Sequence, residues 1–374
     1  MRPSCLVSRH RAGFTLVELM VSMAILVLLL LVIVSITDAT RKTWAYTSSK
    51  IEEFGNAREA FESITRKLSQ ATLNTYWDYH YPAGNSTPDR YIRQSELRFI
   101  SGNGQTLTGS SSVTTHAVFF QAPLGYVTGA NYSNLENLIN TWGYFVEFGD
   151  DSQARPAFLN NIVQVRKRFR IKELMEPSES LTLYTYTSGT NASGQSKNSV
   201  YTGTEWFTTP FNGTAPYTTL TRPVRTLAEN VIALVLLPKL APQEEQSLQT
   251  SGEIPSAPQG TSLAPQYTYD STVAVANAAL NTKNQLPPVI QVTMVAIDET
   301  SANRMTDSDN ANLQAKLGTL FIDATKCAAD LNRDPANVAD PSLETYLITH
   351  RINYRIFTTN ISIKSAKWSR AESN

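Results

Sequence analysis

The sequence is poor in the residues from which most catalytic centres are built. Its 374 residues include four histidines, His10, His80, His116 and His350, and two cysteines, Cys5 and Cys327. The histidines are scattered and show no H-x-x-x-H or Cys/His ligand spacing, so they read as ordinary surface or strand residues. There is no G-x-S-x-G elbow, no P-loop and no dinucleotide fingerprint, and no cofactor is implied. The cysteines flank the one long apolar segment, which argues against a disulfide between them. Cys327 reads as a buried small hydrophobe, and Cys5 precedes the apolar run, the wrong order for a lipoprotein. Net charge is missing as well: Lys plus Arg and Asp plus Glu are 32 each. No global field recruits nucleic acid. No internal repeat is present, and no coiled coil after residue 75. The surface that remains is rich in uncharged polar residues, which suits an exported protein.

One long hydrophobic run stands out against this background. Residues 14–36 carry a single ionisable side chain, Glu18. At about 1.5 Å per residue a helix of this length spans the ~30 Å hydrocarbon core of a bilayer. Arg2, Arg9, His10 and Arg11 come before it, and cations in that position hold an N-terminus in the cytoplasm. A secretory signal has a shorter apolar region followed by a small-residue cleavage site, and no A-x-A follows here. The plain reading is an uncleaved signal anchor. Glu18 resists it, because a carboxylate in an apolar helix is costly and usually partnered. No Lys or Arg lies within a turn or two on its C-terminal side. A cut between Gly13 and Phe14 creates an α-amine, of pKa about 7.7–8.0, four residues from Glu18. Spacing of four places the two on one helix face.

The tract Arg11-Ala12-Gly13-Phe14-Thr15-Leu16-Val17-Glu18-Leu19 resembles the type III signal of type IV pilins and type II secretion pseudopilins. The resemblance implies that a prepilin peptidase cleaves after Gly13 and methylates Phe14. It also implies that Glu18 pairs with the N-terminal amine of a neighbouring subunit during assembly. Implied partners are the peptidase/methyltransferase, other pilins or minor pseudopilins, an inner-membrane assembly platform and the lipid bilayer. The tract Ala60-Phe61-Glu62-Ser63-Ile64-Thr65-Arg66-Lys67-Leu68-Ser69-Gln70-Ala71 is similar to the J-type minor pseudopilins, with Lys67 in place of an acidic residue. Leu227-Ala228-Glu229-Asn230-Val231, followed later by Leu286-Pro287-Pro288 and a strand, adds to that likeness. Tyr76-Trp77-Asp78-Tyr79 and the tract 168–177 look like the pilin-like Verru_Chthon cassette protein C family.

Beyond the apolar run the sequence turns amphipathic. Ile51, Phe54, Ala57, Phe61, Ile64, Leu68 and Ala71 recur at steps of 3 and 4, one face of a continuing helix. Gly55 is a soft point within it. From Tyr76 the pattern changes to short strands: 96–100, 117–121, 144–148, 168–174, 181–186, 231–237, 289–298 and 354–363. The β-branched run 289–297 is the strongest. The Gly/Ser/Thr-rich stretch 101–112, the stretch 187–213 and the Pro/Gln/Ser-rich stretch 238–285 read as loops, as surface insertions. A short helix is expected over 311–317. The whole predicts an α+β chain with a leader (1–13), a transmembrane helix (14–36), an amphipathic continuation (37–75) and a β-rich, mainly antiparallel domain (76–374) carrying long loops.

Three further clusters have a chemical reading and a plainer one. Asp307, Ser308, Asp309, Asn310 and Asp323 offer oxygen ligands of the kind calcium takes, or a solvated turn. Arg166-Lys167-Arg168-Phe169-Arg170-Ile171-Lys172 mixes cations with apolar residues as DNA-binding surfaces do, or as a half-exposed strand does. Tyr76 to Tyr81 is aromatic enough for a glycan or partner contact, or anchors the helix end on the sheet. The reading that covers most of the sequence is a minor structural subunit of a secretion or pilus-like filament. It sits in the bacterial inner membrane as a single-pass protein, with the N-terminus cytoplasmic and the domain outside. A pilus-associated adhesin or DNA-uptake protein is the alternative, and a tethered exported enzyme finds no nucleophile–base pair to support it.

Overall fold

Two compact units divide the chain, Met1–Glu53 and Phe54–Asn374. The computed structural model describes residues 16–369 apart from 133–134, 136, 151–157, 159–161, 163–164, 185, 191–195, 201–202, 214–221, 276 and 338. A single helix, α1 (Leu16–Leu68), supplies the described part of the first unit and opens the second. In the first unit Leu16–Trp44 is 29 residues long, and its most apolar 18 residues have a mean hydropathy of 3.2, long and apolar enough to cross a membrane. A helix satisfies its own backbone, which a segment in lipid requires. The hydroxyls of Ser22, Thr37, Thr40 and Thr43 also turn back onto helix carbonyls, at 2.8–3.0 Å.

The second unit begins where the apolar stripe of α1 becomes buried. Ala57, Ala60, Phe61, Ile64 and Leu68 enter the main core, with Phe54 half-buried. Gly55 does not interrupt the helix. The helix ends at Leu68, short of the expected 75, although Ala71 remains in the core. The reason is pairing: Thr72 N–H donates to the carbonyl of Gln121 at 2.9 Å, so the backbone leaves the helix to meet a strand.

The sheets are antiparallel throughout the described pairings, in an α+β fold. The largest has the order β11 (Tyr269–Asp270), β3 (Phe99–Asn103), β4 (Val113–Pro123), β5 (Ile139–Gly149), β6 (Arg168–Glu176), β9 (Val224–Glu229). A second sheet has the order β10 (Val231–Lys239), β12 (Val289–Ile297), β13 (Tyr354–Ser362). Two hairpins stand apart, β1 (Tyr76–His80) with β2 (Arg90–Gln94), and β7 (Tyr186–Thr190) with β8 (Ser196–Val200).

Side chains alternate across the six-stranded sheet. Val118, Phe120, Trp142, Tyr144, Phe169 and Ile171 join the α1 stripe and the three-stranded sheet in one core. Phe119, Phe145 and Leu174 face the other way and are covered by Trp206, Phe207 and Phe211 of α3 (Glu205–Asn212). Phe119 stacks on Phe207 with centroids 4.2 Å apart. Gly143 makes room: a Cβ there would lie 2.3 Å from Phe119.

Only Asn230 separates β9 from β10, so the chain passes between sheets at one residue, with φ of 60°. β10 is an edge strand, and a bulge in β4 covers it. The register of β4 on β5 shifts between Thr114 and Ala117. Thr115 Oγ1 and His116 Nδ1 then accept from the N–H groups of Leu234 and Leu236, both at 3.0 Å. Buried edge donors are thus satisfied by side chains of the neighbouring sheet.

Several expectations change. Strand 96–100 is displaced to β3, and 101–112 contains the end of β3 and α2 (Gly104–Thr108), not a plain loop. The expected strand 181–186 is mainly 3₁₀ turn: Leu181 and Leu183 are buried, and Thr182 between them donates to Glu176. Residues 187–213 hold β7, β8 and α3. The stretch 238–285 is no surface insertion. It opens with α4 (Pro242–Thr250) and buries Leu248, Ile254, Leu263, Ala264 and Tyr267, spaced without period. Buried Glu245 ties it together by accepting from Gly260 and Ser262 N–H groups. Among the described residues four α-helices fill the arm between β12 and β13: α5 (Glu299–Arg304), α6 (Asp307–Thr319), α7 (Cys327–Leu331) and α8 (Leu343–Thr349). α6 contains the short helix expected over 311–317.

Candidate functional site

The residues with the most specific sequence signal lie at the N-terminus. Gly13 and Phe14 fall outside the described residues. Glu18 stands in the first turn of α1 as described, exposed. The large apolar side chains that follow, from Leu19 to Ile36, are all more than 45% exposed, so this surface awaits lipid or another helix.

The globular unit holds several buried charged side chains among the described residues, and each has hydrogen-bond partners. Glu173, with no exposed surface, accepts from Lys67 Nζ at 2.6 Å, Tyr144 Oη at 2.9 Å and Arg225 Nε at 2.6 Å. Lys67 also lies 4.1 Å from the Trp142 ring centroid, a cation–π contact. Lys67, in the last turn of α1, therefore meets its carboxylate on β6.

The basic tract lies on β6 as expected, and its exposure is corrected. Arg168 and Arg170 are about 95% buried instead of facing solvent. The carboxylate that covers Arg168 comes from Glu299 of α5, 131 residues away, in a two-pronged pair whose Nη2 contact is 2.5 Å. Asn303 and Asn230 complete the cluster. The Arg168 hydrogen bond, ahead of those from Asn230 and Asn303, lowers the Glu299 pKa to about 2 against partial burial. Arg170 pairs with Glu229 at 3.0 Å, and Lys172 and Arg222 share Glu147. These guanidinium groups are engaged by the chain's own carboxylates, which leaves them little to offer a phosphate backbone.

His116 lies on β4, so of the surface and strand readings the strand one holds, and its side chain is buried. Its Nδ1 accepts from Leu236 N–H, and Nε2 donates to the Phe321 carbonyl at 2.9 Å, which fixes the neutral tautomer. Burial lowers its pKa to about 4. The carboxylates at 307–309 open α6, where Thr306 and Asp309 form a capping box, so a helix start replaces the expected turn. Asp323 accepts from Thr325 N–H and Oγ1. Among the described residues no group of three or more His, Cys, Asp or Glu is placed to hold a metal ion. Cys327 is a free, half-buried thiol against the main core.

The aromatic tract does not anchor the helix end. It forms β1, and Tyr76, Trp77, Tyr79 and Tyr81 are 45–58% exposed, with Tyr91 of β2 at 60%. Trp77, Tyr79, Tyr91 and Arg93 share one face by register. Tyr79 and Tyr91 stand 5.0 Å apart, and Arg93 lies over Trp77 at 5.8 Å.

Residues 8–34 match the family model described as the prokaryotic N-terminal methylation motif. No curated protein and no solved structure gives a match to the chain. The motif, on a helix long enough to cross a membrane, supports a type IV pilin-like protein anchored by a single N-terminal span. Proteins of that class are structural and not enzymatic.

Proposed function

We propose that the chain is a minor pilin or pseudopilin-like subunit of a periplasmic or surface filament, serving protein secretion or a type IV pilus-like system. A prepilin peptidase removes residues 1–13 and methylates Phe14. The new amine and Glu18 then guide docking of α1 against neighbouring subunits, starting from an inner-membrane assembly platform. The globular unit lies outside the membrane and performs no catalysis. The match over residues 8–34 carries this reading. Mass spectrometry of the membrane-extracted protein tests it: the N-terminus is methylated Phe14, and a mature protein still beginning at Met1 overturns it. Glu18→Ala is cleaved normally but enters filaments poorly.

A second reading, a pilus-associated binding protein, is favoured by the exposed aromatic face of β1 and β2. Trp, Tyr and Arg are the residues that dominate binding hot spots. Glycan binding by the purified protein, lost in Trp77→Ala, supports it. DNA uptake is the weaker form, because Arg168 and Arg170 already hold Glu299 and Glu229.

A further inference from the structure

We propose that the flank of α1 formed by Thr37, Thr40, Arg41 and Trp44 seats a phospholipid phosphate and so sets the depth of the helix in the bilayer. The proposal rests on the membrane-anchored reading above. Apolar side chains run without interruption from Met23 to Val34, and after Ile36 polarity changes within one turn. Thr37 and Thr40 spend their hydroxyls on the carbonyls of Ile33 and Ile36, both at 2.8 Å. Lys42 is paired with Asp38 at 2.9 Å. Arg41, between them in sequence, has no ion-pair partner among the described residues. It lies on an open flank of the helix shared with Ile36, Thr37, Thr40 and Trp44. Spacings of three and four put these side chains on one flank.

The chemistry of this flank selects its occupant. A guanidinium fork matches a phosphate in two hydrogen bonds. The indole of Trp44 is 75% exposed, and Trp is enriched where headgroups meet hydrocarbon. A free phosphate satisfies Arg41 and leaves the indole and Ile36 in water. A diacyl phospholipid covers all three, its phosphate on Arg41 and its glycerol and upper acyl carbons against Trp44 and Ile36.

The placement has a consequence for Glu18. From Arg41 to Glu18 is 23 residues, roughly 35 Å of helix at ~1.5 Å per residue. The hydrocarbon core is ~30 Å thick. With Arg41 at the phosphate level of one leaflet, Glu18 reaches the polar boundary of the other leaflet. The carboxylate then stays near water until assembly draws it away, and its cost in the membrane is that of an interface, well below that of the bilayer centre.

The test uses the full chain in phosphatidylethanolamine/phosphatidylglycerol vesicles. On a Cys5→Ser, Cys327→Ser background, nitroxides are placed in turn at Leu28→Cys, Ala39→Cys and Ala45→Cys. Accessibility to oxygen and to a water-soluble nickel chelate gives the depth of each. We expect residue 28 near the bilayer centre, 39 at the hydrocarbon boundary and 45 in the headgroup layer. Arg41→Glu and Trp44→Ala shift the probe at 39 by at least one helical turn, about 5 Å. Unchanged depth in both variants overturns the proposal, because the apolar block alone then sets the register. In detergent, the Trp44 emission, taken as the difference from Trp44→Phe, responds to added phosphatidylglycerol and not to inorganic phosphate. An equal response to inorganic phosphate overturns the lipid assignment. An N-terminus at Met1 with the expected depths sinks the filament reading and leaves this proposal standing.

Discussion

Lys67 and Glu173, 106 residues apart in sequence, meet at 2.6 Å with the carboxylate fully buried. The pair joins the last turn of α1 to β6. Removing one member of a buried pair leaves an uncompensated charge, which costs about 3–5 kcal/mol. Arg225 and Tyr144 remain on Glu173, so Lys67→Met is expected to cost about 2–3 kcal/mol, below that range. Urea unfolding of the detergent-solubilised protein measures it. A double-mutant cycle with Glu173→Leu should recover much of the loss, and additive effects contradict the coupling.

His116 gives a pH dependence of definite sign. Its folded pKa of about 4 lies below the unfolded value near 6.5. Between the two the unfolded chain binds the extra proton. Stability is therefore complete above about pH 6.5 and falls as pH drops toward 4, by roughly 3 kcal/mol from this group. His116→Gln flattens that part of the curve. An imidazole that titrates near 6.5 in the folded protein, seen by NMR, refutes the assignment.

Gly143→Ala forces a methyl against the Phe119 ring, which is also stacked on Phe207. Overpacking of this kind costs about 1–3 kcal/mol. Combining it with Phe119→Leu should return part of the stability in thermal unfolding. A Gly143→Ala protein as stable as the parent means the sheet yields at this point.

Arg168→Met releases Glu299, whose carboxyl pKa should rise from about 2 toward the ordinary range in a carbon-detected NMR titration. The depressed pKa contributes stability that is present above about pH 4.5 and lost as pH falls toward 2. The variant should therefore be less stable near neutrality while any affinity for DNA is unchanged. Loss of DNA binding at unaltered stability returns Arg168 to a surface role.

Local pattern made part of this protein readable. β12 is legible because 289–297 is a β-branched run with prolines before it, and the buried stripe of α1 because its spacing is helical. The segment 181–184 misleads because Leu181 and Leu183 alternate as a strand does, while Glu176 holds Thr182 in a tight turn. The burial of Arg168 and Arg170 depends on Glu299 and Glu229, and no local signal announces a partner so far along the chain. Residues 238–285 hid their core positions because irregular chain has no period to detect. At the N-terminus Glu18 is conspicuous for the opposite reason, as one carboxylate in a block that otherwise contains none.

The order in which the chain emerges matters for how it matures. Phe61 packs on Phe357 with centroids 5.8 Å apart, and Lys364 N–H donates to the Ser69 carbonyl at 3.0 Å. The sticky side of α1 is thus among the first parts of its unit to be synthesised, and its final cover arrives some 300 residues later. Contacts so distant in sequence form slowly. Until then the stripe lacks part of its cover, so closure of this core waits for the C-terminal strand.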